Sequence, residues 1–126
     1  MDDVNVCTLT GNLAADPELK TTKYGKEYLS FRIANHLYVN GKRRVYFYEV
    51  NLFGQSVKNS ATALKRGSLV MLSGFIYPHH FTYEKTGKEG MINMMIANTI
   101  RWLNGSFDVS FLTEGAEESE NIDVTI

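Results

Sequence analysis

Val45-Tyr46-Phe47-Tyr48-Glu49-Val50-Asn51-Leu52-Phe53, closed by Gly54, is the stretch around which the rest of the chain is organised. Almost every residue in it is aromatic or β-branched. Such side chains fit a pleated, half-buried surface, so the stretch reads as a strand. Alternate residues of a strand point to opposite faces. Tyr46, Tyr48, Val50 and Leu52 make a credible core face. Val45, Phe47, Glu49, Asn51 and Phe53 mix two rings with polar groups, as a half-exposed surface does. Lys42, Arg43 and Arg44 come directly before them. Rings exposed beside a basic cluster are what unpaired bases and their phosphates require. Taken alone, the strand also allows a plainer reading in which Phe47 and Phe53 fill a core, because Phe is usually buried.

Working outward, Asn5 to Gly11 alternates as a first strand, broken by Gly11-Asn12-Leu13 and by the turn signal Asp16-Pro17. Glu18 to Thr22 is read as a bent extension of that strand, and Lys23-Tyr24-Gly25-Lys26 as a hairpin turn. Glu27 to Ala34 is a second strand, with Leu29, Phe31 and Ile33 inward and Tyr28, Ser30 and Arg32 outward. Asn35 to Tyr38 extends it towards Asn40-Gly41, the strongest short hairpin signal in the chain. After Gly54, Ser56 is a reasonable helix N-cap. Val57, Ala61 and Leu64 then share one helical face, Lys65 and Arg66 close the helix, and Gly67 stops it. Leu69 to Tyr77 is a fourth strand, Pro78 to Lys88 a long arm with Thr86-Gly87 at its tip, and Met91 to Leu103 a fifth strand. Strand–strand–strand–helix–strand–strand is the order of an all-β, five-stranded OB-fold Greek-key barrel with one helix and extended hairpin arms. The second and third strands of such barrels commonly bind oligonucleotides or oligosaccharides.

A chain of 126 residues suits one domain, and 44% hydrophobic with 21% charged residues excludes wholesale disorder. The single cysteine, Cys7, has no internal partner and is expected as a buried thiol. There is no signal-peptide pattern and no apolar run of membrane-spanning length, so a cytoplasmic protein is expected. The net charge of −1 hides a division. Residues 1–103 hold all 13 basic residues against eight acids, whereas residues 104–126 hold six acids and no base. A basic body followed by an acidic tail suits a polyanion-binding domain with a competing or partner-docking tail. The chain is therefore expected to divide into a barrel over residues 1–104 and a short acidic tail over 105–126, expected to be flexible.

Leu9-Thr10-Gly11-Asn12-Leu13 with Asp16-Pro17-Glu18 resembles the opening of bacterial-type single-stranded DNA-binding proteins. Phe47 to Gly54 resembles their central aromatic strand ending in Leu-Phe-Gly. Leu64-Lys65-Arg66-Gly67-Ser68 is similar to their helix end, and Val70 to Ile76 to the strand that follows. The matches keep order and spacing over residues 4–103. The resemblance implies stacking positions at Phe47, Phe53 and Phe81, with Tyr38 or Val39 near a fourth, of which Tyr38 is the choice. It implies a homotetramer, with a dimer as the alternative, joined through the first strand's edge and the outer sheet face. It also implies roles in replication, recombination or repair. Several features depart from the family pattern. Trp102 is not at a stacking position and is expected to pack at the end of the last strand. Glu49 stands where the family often has Arg, and Tyr48 replaces a His at the subunit contact. The tail lacks the acidic Pro-Phe tip through which family members dock replication proteins, and its shortness fits a phage or mobile-element member.

The expected mechanism is stacking under the bases plus cations along the phosphates. Lys23, Lys26, Arg32, Lys42, Arg43, Arg44, Lys85 and Lys88 are the candidate phosphate contacts, with Lys20 beside them. Lys58, Lys65 and Arg66 sit with the helix, away from the ring-bearing strand. His79-His80 makes a poor metal site, because neighbours in an extended arm point opposite ways. No phosphate loop, nucleophile elbow or catalytic carboxylate pair stands out, so no cofactor and no enzymatic activity are expected. The alternative is an OB-fold adaptor that binds protein in a primosome or phage assembly. RNA in place of DNA is also open, since stacking and phosphate contacts do not exclude the 2′-hydroxyl.

Overall fold

The computed structural model describes residues 2–103. The proposed tail falls outside the described residues. Six strands and one helix follow in the order β1 (Cys7–Leu13), β2 (Glu18–Thr21), β3 (Glu27–Val39), β4 (Lys42–Leu52), α1 (Val57–Ala63), β5 (Leu69–Thr82) and β6 (Glu89–Trp102). The sheet runs β1-β5-β6-β4-β3-β2, and β1 also pairs with β3. That extra pairing, Asn12 opposite Ala34 and Leu13 opposite Ile33, closes five strands into a barrel. Closure needs the two backbones close together. Gly11 permits it, since a Cβ there would stand 2.8 Å from the Ala34 carbonyl oxygen.

Alternation explains the core. Leu29, Phe31 and Ile33 on β3 and Val50 and Leu52 on β4 are buried, as are Leu13, Val70, Leu72, Met95 and Ala97. The helix adds Val57 to the core, and Leu64, just past its end, adds a second apolar side chain. Tyr46 and Tyr48, on the inward side of β4, are only half-buried, because the strand runs past the barrel there. The Asn40-Gly41 turn takes φ of 53° and 77°, the left-handed pair that a two-residue hairpin requires.

Six expectations are corrected. Glu18 to Thr21 is a strand of its own, paired with β3 rather than a bent end of β1. The helix ends at Ala63, so Lys65 and Arg66 lie in the following turn, where the Arg66 N–H donates to Asp16 Oδ1 at 2.8 Å. Ser56 holds the N-cap position but makes no side-chain cap hydrogen bond. The arm after Tyr77 is a continuous ladder out to Thr82 opposite Glu89, turning only over 83–88. Pro78 is tolerated because β5 has there outrun its β1 partner, leaving that edge with no ladder donor to lose. Cys7 is half-buried, and desolvation raises its thiol pKa from the usual value. Trp102, expected to pack, is 43% exposed.

The alternation of β6 is broken once. Ser73 pairs with Thr99 but Gly74 pairs with Ala97, so Asn98 is an extra residue. Such a bulge shifts the side-chain parity of its strand. Met95 and Ala97 face the core before it, and Ile100 packs against the core after it.

Candidate nucleic-acid interface

Register places the ring-bearing residues on one surface. Paired residues of neighbouring strands share a face. Opposite one another on β3 and β4 are Tyr38 and Arg43, His36 and Val45, Ala34 and Phe47, Arg32 and Glu49, and Ser30 and Asn51. All lie on the side away from the buried Phe31, Ile33, Val50 and Leu52. The β4–β6 pairing carries the same outer face to Met94 and Ile96, and the β5–β6 pairing carries it on to Phe75, Tyr77, His79 and Phe81.

Each predicted ring has a definite setting. Phe47 is 51% and Tyr38 48% exposed, so neither fills the core. The Arg32 guanidinium lies 6.0 Å from the centre of the Phe47 ring. Phe53 is half-buried, stacked on Tyr28 with centroids 5.1 Å apart and planes 23° from parallel, and Lys26 Nζ sits 5.5 Å from its centre. Phe81 meets Tyr83 edge to face at 4.9 Å. Its ring also covers Gly90, where a Cβ would come within 2.6 Å of Cζ. A glycine opposite a large ring thus lets the ring lie flat on the sheet.

The cations divide. Lys26 joins Phe53, and Arg43 joins Phe47 and Tyr38 on the outer face. Lys42 and Arg44, opposite Val39 and Leu37, fall on the other side of the hairpin by the same parity. Arg32 is on the ring face but bound to Glu49, Nε to Oε1 at 2.6 Å. Glu49 therefore sits on the ring-bearing face itself, with its charge engaged by Arg32. Lys23 lies 5.2 Å from the centre of the exposed Tyr24 ring in the β2–β3 turn, and Lys85 and Lys88 sit in the 83–88 loop at the far end of β5. His36, on the outer face, has its pKa lowered by desolvation and then by the Arg43 charge.

Sequence reasoning assigned no role to Tyr28, Phe75 or Tyr77. Tyr28 was legible as outward, but its contact with Phe53 was not. Phe75 and Tyr77 lie in a stretch apolar on both faces, where alternation cannot tell in from out. Among the described residues no three His, Cys, Asp or Glu side chains gather as metal ligands would, and no helix is long and apolar enough to cross a membrane.

A closed five-stranded barrel with one helix and a ring-bearing outer face is an OB fold. Residues 4–103 match the single-strand binding protein family, and the chain belongs to that family. Its relatives include single-stranded DNA-binding protein 1 of Staphylococcus aureus strain Mu50, 31% identical over 103 residues, a match covering 79% of this chain and 65% of that protein. Another is single-stranded DNA-binding protein 2 of Listeria innocua, 27% identical over 103 residues, covering 79% and 64%. The chain therefore spans just under two thirds of these relatives' length. Among solved structures it is similar to a Plasmodium falciparum SSB in complex with ssDNA, with TM-score 0.68, 15% identity and coverage of 82% of this chain and 98% of that one. It is also similar to a small single-stranded DNA-binding protein from Streptomyces coelicolor, with TM-score 0.68, 19% identity and coverage of 85% and 100%. Both share the barrel.

Proposed function

We propose that the chain binds single-stranded DNA without strong sequence preference, protecting it during replication, recombination or repair, and that it is not an enzyme. The observation that carries the proposal is the outer face itself. Phe47, Phe53, Phe81 and Tyr38 share it, and Phe47 and Tyr38 are about half exposed where a core reading needs them buried. Family membership and relatives named as single-stranded DNA-binding proteins support the choice of ligand. Arg43, Lys23, Lys26, Lys85 and Lys88 border the rings as phosphate contacts, with Lys42 and Arg44 reaching the strand from the hairpin's other side. Every base has a π face, so stacking gives little sequence preference.

Self-association goes through β1, as a homotetramer or a dimer. Upstream of its two-residue pairing with β3, β1 leaves an opening lined by Leu9, Leu37, Tyr38 and Tyr48. The outward row Thr8, Thr10, Met71, Ser73, Thr99 and Arg101 offers a second face for the further contact a tetramer needs, polar apart from Met71. Light scattering distinguishes the two.

The deciding experiment is fluorescence anisotropy of labelled poly(dT), with duplex of equal length as control. It is run at two salt concentrations and repeated for Phe47→Ala with Phe81→Ala. Each stacked base is worth about 1–3 kcal/mol, so the double variant should bind at least tenfold more weakly. Equal binding to duplex, or an unaffected double variant, refutes the proposal.

A further inference from the structure

Two rings on β5 have no part in the core and no role so far. Phe75 is 44% and Tyr77 39% exposed, and their centroids lie 6.4 Å apart with planes 32° from parallel. The inward side of the strand is already occupied by Val70, Leu72 and Ile76. Exposed aromatic pairs are costly to leave in water, and here they interrupt neither a turn nor a closure. Their surroundings are specific. Phe75 pairs with Ile96 and Tyr77 with Met94, and across β6 those residues pair with Asn51 and Glu49 of β4. The rings are therefore two strand spacings, roughly 10 Å, from the strand that carries Phe47. Phe81 continues the same side of β5 four residues beyond Tyr77. The outward positions of β6 between the two ring groups, Ile92, Met94 and Ile96, carry no charge. Glu49, the acid on the path, is held by Arg32.

We propose that Phe75 and Tyr77 form a further base-stacking step for single-stranded DNA, taking the strand from Phe47 and Phe53 across β6 to Phe81. The inference rests on the function proposed above. Continuity with the other rings on one face favours a nucleic acid over a second copy of the chain. The step is aromatic and uncharged, so it holds bases and contacts no phosphate. Its loss therefore weakens binding by the same factor at every salt concentration, whereas loss of a phosphate contact lowers the salt slope.

The test measures the affinity of Phe75→Ala, Tyr77→Ala and the double variant for oligo(dT) of roughly 8 and roughly 16 nucleotides, lengths within the span of one OB fold. Each single variant should lose about fivefold or more on the longer oligonucleotide and little on the shorter, with an unchanged salt slope and thermal midpoint. A second readout is Tyr77→Trp in a Trp102→Phe background, whose emission should be quenched by the longer oligonucleotide. Unchanged affinity overturns the inference, and so does unquenched emission. So does a variant that alters only the molar mass in light scattering, which would make the rings a self-contact. If the unaltered chain fails to bind oligo(dT), the function proposed above falls too. If it binds and the variants bind equally well, this inference alone falls.

Discussion

Arg32 has two partners at once. Its Nε lies 2.6 Å from Glu49 Oε1, and its guanidinium carbon lies 6.0 Å from the Phe47 ring centre. An exposed ion pair contributes about 0–1 kcal/mol, and the Arg32 side chain is 51% exposed. A phosphate can therefore compete for the guanidinium, but it must displace the carboxylate first. Glu49→Gln removes that competition and one negative charge from the ring face. The variant should bind oligo(dT) more tightly, with a salt slope steeper by about 0.7 and an unchanged thermal midpoint. Salt titrations of both proteins check this, and identical slopes would remove Arg32 from the phosphate contacts. His36 gives a pH dependence of stability. Burial, and then Arg43, lower its folded-state pKa below the ordinary 6.5. As pH falls through 6.5 the unfolded chain takes up the proton first, so stability is lost progressively until pH passes below the lowered value. His36→Gln should not show this loss. Urea midpoints of the two proteins should diverge as pH drops from 7 to 5, with the wild type falling further; parallel curves would count against it.

At the scale of elements, glycines mark where strands approach too closely for a side chain. Gly74 sits at the β6 bulge, where a Cβ would fall on the Ile96 carbonyl oxygen. Backbone oxygen cannot move aside as a flexible side chain can. Gly74→Ala should therefore destabilise the barrel by about 1–3 kcal/mol, the usual range for overpacking. Denaturant unfolding measures it, and a change within error would mean that the bulge adapts freely. The same region shows what was legible in the sequence. Strict alternation gave β3 and β4 with the correct inward residues, and Asn40-Gly41 gave their turn. The bulge at Asn98 was not legible, because an inserted residue leaves composition unchanged and only shifts parity. Lys42, Arg43 and Arg44 looked like one cluster because charge was counted along the chain. Pairing with Leu37, Tyr38 and Val39 splits them between two faces. The rings at Phe47, Phe53 and Phe81 were placed by resemblance, and register shows that they share a face. Tyr28 as the partner of Phe53 required tertiary contact to be seen.

For the whole molecule the governing quantity is charge. The full chain carries −1, yet its 13 bases all precede residue 104 and six of its 14 acids follow residue 103. Ending the chain at Leu103 keeps the family-matched region and leaves a net charge of +5. On the function proposed above, an acidic segment joined to a basic barrel is expected to compete with the DNA phosphates at an effective concentration set by the tether. Its influence is electrostatic, so it is long-ranged at low salt and screened within about 3 Å at 1 M. The shortened chain should therefore bind oligo(dT) more tightly than the full chain at low salt, and the two should converge as salt rises. Anisotropy titrations over a salt series separate the possibilities. A difference that persists at high salt would mean that the segment blocks the ring face by contact. No difference at any salt would mean that its charge does not reach the site, and the net charge of the barrel alone would then govern how strongly the DNA is drawn in.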